Sequence, residues 1–196
     1  MATKTDLCNR AILSLRGAPI TNIDQDSTTE ALSCKVFYDQ VLRGLFEDFE
    51  WPFATTNAPL AKVSDNPTEE WVCGYAYPVD AARLIKISNS SGAIARYSVA
   101  YSKQGRVIYT NEENAGIVYV KVITDTGLYP ALFQAAFSAK LASAIAVSVC
   151  DGDLLKSLGD RAEAQYEMYI AKAKASAKNE LQVPNNVDSG MVTSRQ

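Results

Sequence analysis

Acidic side chains are the residues of this chain most able to do chemistry, because they occur in close groups. Glycoside hydrolysis needs two carboxyl groups that face each other across the sugar, one of them with a raised pKa. Here the members of each group are sequence neighbours at a helix end or in loops, and neighbours in a helix do not face one another. This spacing favours capping and solvation over a paired catalytic site. The groups are Glu47-Asp48-Glu50, Glu69-Glu70, Glu112-Glu113 and Asp151/Asp153.

Histidine is absent from all 196 residues. Its absence removes the commonest general base and metal ligand, together with every histidine-dependent catalytic triad. The phosphate-binding patterns G-x-x-x-x-G-K-S/T and G-x-G-x-x-G are absent as well. The sequence therefore predicts no catalytic residue, no metal site and no cofactor, and a protein that is not an enzyme.

Four cysteines are the remaining candidates for metal binding or redox chemistry: Cys8, Cys34, Cys73 and Cys150. No two of them form a C-x-x-C pair, and each lies within an apolar pattern. We therefore predict four reduced, mostly buried thiols in a protein made in the cytoplasm, and not a disulfide framework.

The composition is that of an ordinary soluble globular protein, with 47% hydrophobic and 21% charged residues and a net charge of −3. Without a polybasic region, general nucleic-acid binding by charge is not expected. Residues 1–9 lack the pattern of a signal peptide. The alanine-rich run at 131–150 approaches spanning length, but Gln134 and Lys140 interrupt it. We interpret this run as a tightly packed helix and predict no membrane insertion.

Residues 5–50 have the hydrophobic spacing of two helices. The first stops at Gly17-Ala18-Pro19, and the second begins at a capping box formed by Ser27 and Glu30. The second ends at Trp51-Pro52, because the residue before a proline is pushed out of the helical region. The apolar positions are Leu7, Ala11, Ile12 and Leu15 in the first helix, and Leu32, Val36, Phe37, Val41, Leu42, Leu45, Phe46 and Phe49 in the second.

Between residues 53 and 128 the pattern changes to short runs rich in Tyr, Val and Ile, separated by prolines and glycines. Tyr97, Val99 and Tyr101 alternate with small residues, as in a half-buried strand. The block predicts an antiparallel sheet or sandwich of about five to seven strands. The runs are 71–77, 83–88, 97–101, 106–110 and 116–124.

Residues 129–180 return to a helical pattern, with one helix beginning near Pro130 and another near Gly152-Asp153. Residues 181–196 have no periodicity. The predicted fold class is therefore α+β. The helices of 1–52 and 129–180 form one α-helical bundle, 53–128 form an inserted antiparallel β domain, and 181–196 form an extended C-terminal tail.

A series of short motifs runs through residues 5–178. It begins with Leu7-Cys8-Asn9-Arg10-Ala11-Ile12-Leu13, and Trp51-Pro52-Phe53-Ala54 follows the second helix. The β block contains Tyr75-Ala76-Tyr77-Pro78-Val79-Asp80, and Tyr129-Pro130 precedes an alanine-rich helix. In this order the motifs resemble the head-to-tail adaptor family of tailed bacteriophages, called tail tubular protein A in short-tailed phages.

The resemblance implies a structural virion protein of the neck, made in the host cytoplasm. Adaptors of this family form a ring, usually of twelve copies, that docks under the portal protein and joins it to the tail or nozzle protein below. Genome DNA passes through the bore without specific binding, and a slightly acidic surface suits such passage.

The resemblance also assigns roles to residues. The C-terminal tail clasps the portal or neighbouring subunits in this family, and the apolar residues of 181–196 are the contact candidates. The resemblance implies structural roles for the motif positions. The contact candidates are Leu181, Val183, Val187, Met191 and Val192, and the motif positions are Trp51, Phe53, Tyr77, Pro78 and Asp80.

Two alternatives remain open from the sequence. One is a carbohydrate-active or cell-wall-acting phage protein that uses an acidic pair, with Trp71, Tyr75 and Tyr77 lining a sugar groove. Packing within the sheet is the other interpretation of those three aromatic side chains. The second alternative function is another protein of the neck, such as a tail terminator.

Overall fold

We describe residues 2–63, 70–102, 105–150 and 152–181 of a computed structural model, and the side chains of these residues except 153–155. The helices are α1 (Lys4–Ser14), α2 (Thr29–Asp48), α3 (Ala131–Val149) and α4 (Gly152–Leu181). The strands are β1 (Thr55–Pro59), β2 (Cys73–Ala76), β3 (Ala81–Ser88), β4 (Tyr97–Ser102), β5 (Gly105–Thr110) and β6 (Gly116–Lys121). Short 3₁₀ helices at Pro52–Ala54 and Thr126–Leu128 connect the helical and β parts. The α+β fold class is confirmed.

Helix α3 is the centre of the bundle, and α1, α2 and α4 each pack against it. Its buried positions are mostly small or aromatic, so neighbouring helices approach its backbone closely while rings fill the remaining gaps. Gly159 of α4, for example, lies opposite Ala146 of α3. The buried residues of α3 are Phe133, Ala136, Phe137, Ser138, Ala139, Leu141, Ala142, Ile145 and Ala146.

The helix starts are set by side-chain caps. Thr3 and Asp6 form a capping box at α1, in which the Thr3 side chain accepts from the Asp6 N–H and the Asp6 carboxylate accepts from the Thr3 N–H. At α2 the sequence-based capping box of Ser27 and Glu30 is wrong. The cap is Thr28, whose hydroxyl oxygen accepts from the backbone N–H of Ala31, so the helix begins one residue later than the pattern suggested.

The end of α1 is a Schellman motif. The backbone N–H of Gly17 donates to the Ile12 carbonyl and that of Arg16 to the Leu13 carbonyl, while Arg16 adopts the left-handed conformation with φ = 62°. Gly17 must be glycine because a Cβ there would lie 2.8 Å from Ile12 Cγ2 and 2.9 Å from Val149 Cγ1. The predicted stop of this helix is thereby explained by close packing against the end of α3.

The β part consists of two antiparallel three-stranded sheets, ordered β1-β6-β3 and β2-β5-β4. Five of the six strands occur at the runs predicted from the sequence. Strand β1 was not predicted, because its residues are largely polar, yet Thr55 pairs with Val120 and Pro59 with Gly116 along β6. The two sheets share a core of Cys73, Tyr75, Ala81, Ile87, Ala95, Ile108, Ala115, Ile117 and Tyr119.

Two arginines join the β part to the bundle. Arg83 of β3 donates to the carbonyl oxygens of Glu47 at 3.4 Å and Asp48 at 3.3 Å, at the C-terminal end of α2. A cation is favoured there by the helix dipole. Arg43 of α2 donates in return to the carbonyl of Ala81 at 3.3 Å. The bundle core also extends to Ala82 and Val120 of the sheet.

Two glycine substitutions test this packing. We expect Gly17→Ala to lower the free energy of unfolding by about 1–3 kcal/mol, because the new methyl group meets the branched side chains of Ile12 and Val149 close to their own backbones. Gly44→Ala, in the middle of α2 where a Cβ meets nothing within 4 Å, should raise it by about 0.5–1 kcal/mol. Urea unfolding of both variants measures this, and a Gly17→Ala protein as stable as the parent contradicts the close approach.

Candidate contact surface

The motif residues Trp51 and Phe53 lie in a cluster of six rings, which we call the aromatic junction: Phe46, Phe49, Trp51, Phe53, Tyr129 and Phe133. Phe133 of α3 lies at its centre. Its ring centroid is 5.1 Å from those of Phe46, Trp51 and Phe53, and 5.2 Å from that of Tyr129. The junction therefore gathers α2, α3 and both links to the β part.

Hydrogen bonds fix the two polar rings of the junction. The indole N–H of Trp51, which is 1% exposed, donates to the Leu45 carbonyl at 2.7 Å. The Tyr129 hydroxyl donates to the Ile123 carbonyl at 2.6 Å. Burial raises the pKa of Tyr129 well above its ordinary value, so this hydroxyl remains a donor at every physiological pH.

The second sequence motif, Tyr77-Pro78-Val79-Asp80, lies between β2 and β3. The Arg106 guanidinium lies 3.8 Å from the centroid of the Tyr77 ring. Asp80 accepts a hydrogen bond from the Tyr119 hydroxyl at 3.2 Å and pairs with Lys121 at 3.2 Å, both from β6. The Pro78 carbonyl accepts from the Ala81 N–H. The Asp80 contacts hold the start of β3 against β6. Among the described residues, the Tyr77 ring makes no ring contact with the aromatic junction.

A groove of about 240 Å³ opens beside the aromatic junction, where α4 ends. Trp51, Pro52 and Phe53 form one wall, and the last turns of α4 from Ala173 to Glu180 form another. Leu181, the last described residue, is 51% exposed. The other tail candidates, Val183, Val187, Met191 and Val192, lie outside the described residues.

The acidic groups are distributed among separate contacts. Glu47 pairs with Arg43, Asp48 with Lys174 at 2.6 Å, Glu50 with Arg83, and Glu70 with Arg96. The backbone carbonyls of Glu112 and Glu113 accept from the Tyr75 hydroxyl. Glu69, Asp151 and the Asp153 side chain lie outside what the structure describes. The described groups thus enter cation pairs and loop contacts and are not arranged across a shared cleft.

The aromatic residues of the alternative sugar groove are mainly core residues. Trp71 is 9% exposed and Tyr75 is 2% exposed. Arg96 covers the Trp71 ring, with 5.2 Å between its guanidinium carbon and the ring centroid. Tyr77 is covered by Arg106. The packing interpretation is confirmed for Tyr75, which belongs to the core of the two sheets. Trp71 is buried as well.

All four cysteines are described, and all are buried without forming a disulfide, as predicted. A hydrogen bond with Cys34 and burial together raise the pKa of the Cys8 thiol, which keeps it protonated and unreactive. Among the described residues, no three His, Cys, Asp or Glu side chains are grouped so that they could hold a metal ion.

Helix α3 has the length and apolar composition of a membrane span among the described helices. Half of its most apolar window is buried inside the protein, and α1, α2 and α4 cover it. These contacts are those of the core helix that the alanine-rich sequence predicted.

One cleft contains residues that the sequence analysis did not single out. Arg16, just after α1, and Arg161 of α4 line a polar cleft of about 230 Å³ together with Ser14 and Gln165. The sequence contained one signal of this cleft, which is that an arginine, Arg16, directly precedes Gly17, where the first helix stops.

The ion pair between α3 and α4 gives a prediction on pH. Burial is the largest influence on Glu163 and opposes its ionisation. The hydrogen bond from Lys140 Nζ at 2.6 Å, the hydrogen bond from Ser143 and the positive charge of Lys140 together outweigh burial, and the pKa of Glu163 falls below its ordinary value of 4.5. A lowered folded-state pKa means that the pair stabilises the protein above about pH 4.5 and that this stabilisation is lost as pH falls. The side chains are 36% and 40% exposed, so the contribution is below about 1 kcal/mol.

We therefore expect Glu163→Gln to be less stable than the parent at about pH 6, with a difference that shrinks below pH ~4.5. Urea unfolding across that range measures it. Glu167→Gln, one turn further along α4 and exposed, is the matched control and should show no such trend. A parent–variant difference that stays constant down to about pH 3 contradicts the ion-pair account.

Trp51→Phe tests the aromatic junction. The change removes the donor to the Leu45 carbonyl and part of a fully buried ring, and should lower the free energy of unfolding by about 2–3 kcal/mol. Trp71→Phe, which loses ring area but no side-chain hydrogen bond to another described residue, should cost less. Each variant retains one tryptophan as a fluorescence reporter of unfolding. Equal losses in the two variants contradict a special role for the Trp51 bond.

Comparison with known proteins assigns no function to this surface. No protein-family model matches the chain, and no curated protein matches it in sequence. Three structural features therefore bear on the function: the aromatic junction, the groove beside it and the end of α4.

Proposed function

We propose that this protein is a head-to-tail adaptor: a non-enzymatic virion protein that docks as a ring under a phage portal and joins it to the tail. The observation that carries the proposal is the convergence of the family-like motifs in space. Trp51 and Phe53, from the link after α2, meet Tyr129, from the link before α3, around the single ring of Phe133.

This convergence supports the proposal because the motifs are about 75 residues apart in the chain. Their joint task is to attach an inserted β part to a helical bundle, the arrangement that the resemblance implies. The same junction places the end of α4 on one side of the bundle, with Leu181 exposed. The apolar residues that follow Leu181 in the sequence are the partner contacts that the proposal assigns.

Two described carboxylates, Asp6 and Glu163, have pKa shifts opposite to the one that a hydrolase acid needs. A glycoside hydrolase needs a carboxyl group with a raised pKa as its general acid. The carboxyl pKa values of Asp6 and Glu163 shift downward instead, through the hydrogen bonds of the α1 cap and through Lys140. We take both groups as structural.

Removal of the tail tests the proposal. A chain that ends at Glu180 lacks the contact candidates but retains the described bundle almost entirely. We expect its melting temperature and circular dichroism to stay near those of the parent, while its affinity for the portal protein of the same phage falls at least tenfold, or ~1.4 kcal/mol. Surface-immobilised portal with soluble adaptor measures the affinity.

A full-length variant separates the tail's chemistry from its length. Serine at Val183, Val187, Met191 and Val192 should weaken portal binding as truncation does, because apolar docking contacts are lost. Serine at Gln182, Asn185, Asn186 and Gln196 is the matched control and should bind as the parent does. Undiminished binding of the truncated chain, or hydrolysis of cell-wall polysaccharide by the parent, would overturn the proposal.

A further inference from the structure

The cleft between the end of α1 and α4, which we call the arginine cleft, has Ser14, Arg16, Arg161 and Gln165 as its polar lining, and Leu13, Leu158 and Ala162 as its apolar lining. Neither arginine side chain makes a hydrogen bond or ion pair with another residue of the part that the structure describes. By contrast, Arg43, Arg83 and Arg96 each pair with a carboxylate within 4 Å. Arg16 and Arg161 thus line one cleft of about 230 Å³, and no described carboxylate pairs with either of them.

The backbone of Arg16 is the second observation. Arg16 occupies the left-handed position of the Schellman motif, with φ = 62°, the position at which glycine is strongly preferred. A side chain there is strained, because its Cβ approaches the following carbonyl oxygen. Glycine at residue 16 would therefore make a more stable helix end, and the arginine side chain makes no hydrogen bond or ion pair with a described residue that would offset this strain.

We propose that the arginine cleft binds the carboxylate side chains of an acidic peptide segment in a partner protein. A guanidinium has five donors and no acceptor, so the ligand has to supply acceptors alone, as a carboxylate does. Its planar fork matches a carboxylate with two parallel hydrogen bonds. Arg10, which lines the adjoining groove beside Ser14 and Gln165, adds a third positive charge for such a segment.

The shape of the cleft favours a peptide over nucleic acid. Binding to a nucleic-acid backbone needs a row of cations that follows regularly spaced phosphates. Here the described cations are two arginines that line one short cleft and a third in the adjoining groove, which suits a short acidic segment better than a long, regular backbone. The proposal does not depend on the adaptor function, because it rests only on this cleft.

Two substitutions separate a binding role from a structural one. Arg16→Gly should raise the melting temperature by about 2–4 °C, since the strain at the helix end is relieved, and should weaken binding of a hexaglutamate peptide at least fivefold. Arg161→Gln, inside α4, should weaken binding equally without raising the melting temperature. Lys86→Gln, an exposed change of the same charge on β3, is the control and should alter neither.

The binding readout is an NMR titration of the arginine side-chain Nε–H signals in the full chain. We expect hexaglutamate to shift the signals of Arg16 and Arg161 together, and a DNA duplex or inorganic phosphate at equal charge concentration to shift them far less. No shift with hexaglutamate overturns the proposal. Stronger shifts with DNA or phosphate also overturn it, in favour of a phosphate site. A lower melting temperature for Arg16→Gly shows that the arginine serves the fold, and likewise overturns it.

Discussion

The chain passes between its helical and β parts twice, and both passages lead to the side chain of Phe133. Four rings contact it: Phe46 from α2, Trp51 and Phe53 from the link after α2, and Tyr129 from the link before α3. At about 0.5–1.5 kcal/mol for each aromatic pair, these contacts amount to a substantial part of the stability of a domain. The rest of the structure depends on this cluster because the two halves of the bundle are more than 80 residues apart in the chain, between the end of α2 and the start of α3.

Other features of the fold follow from that constraint. Once Phe133 fixes the start of α3, its alanine face can accept α1, α2 and α4 at short distances. Arg43 of α2 then donates to the backbone carbonyl of Ala81 in β3, and Arg83 of β3 donates to the backbone carbonyl of Glu47 in α2. The β part has its own hydrophobic core between its two sheets. It therefore depends on the bundle for its position in the fold more than for the burial of its apolar side chains.

The sequence predicts the fold where a single physical signal dominates. Hydrophobic periodicity locates the helices, and alternation with turn residues locates five strands. It fails where two residues offer the same chemistry, as with Ser27 and Thr28 at the start of α2, because either hydroxyl can cap a helix. It also fails at β1, because these polar residues show no strand pattern of their own. They pair with β6, and the Thr55 hydroxyl donates to the carbonyl of Trp51 in the junction.

The candidate site is predictable to a smaller degree. Trp51 and Phe53 are identifiable from the sequence, but their meeting with Tyr129 around Phe133 is a tertiary contact that no local pattern contains. The strain at Arg16 is hidden in the same way, since only the backbone angle reveals that an arginine stands where glycine is preferred. The four tail residues beyond Leu181 remain predictions from the sequence.

The proposed function requires that the junction-held bundle assembles as an adaptor on a portal. Electron microscopy of this protein mixed with the portal protein of the same phage tests this proposal. We expect an added ring of adaptor density, with the same rotational symmetry as the portal, on the portal face that receives the tail. Portal particles that remain bare at saturating concentrations of the folded protein would contradict it.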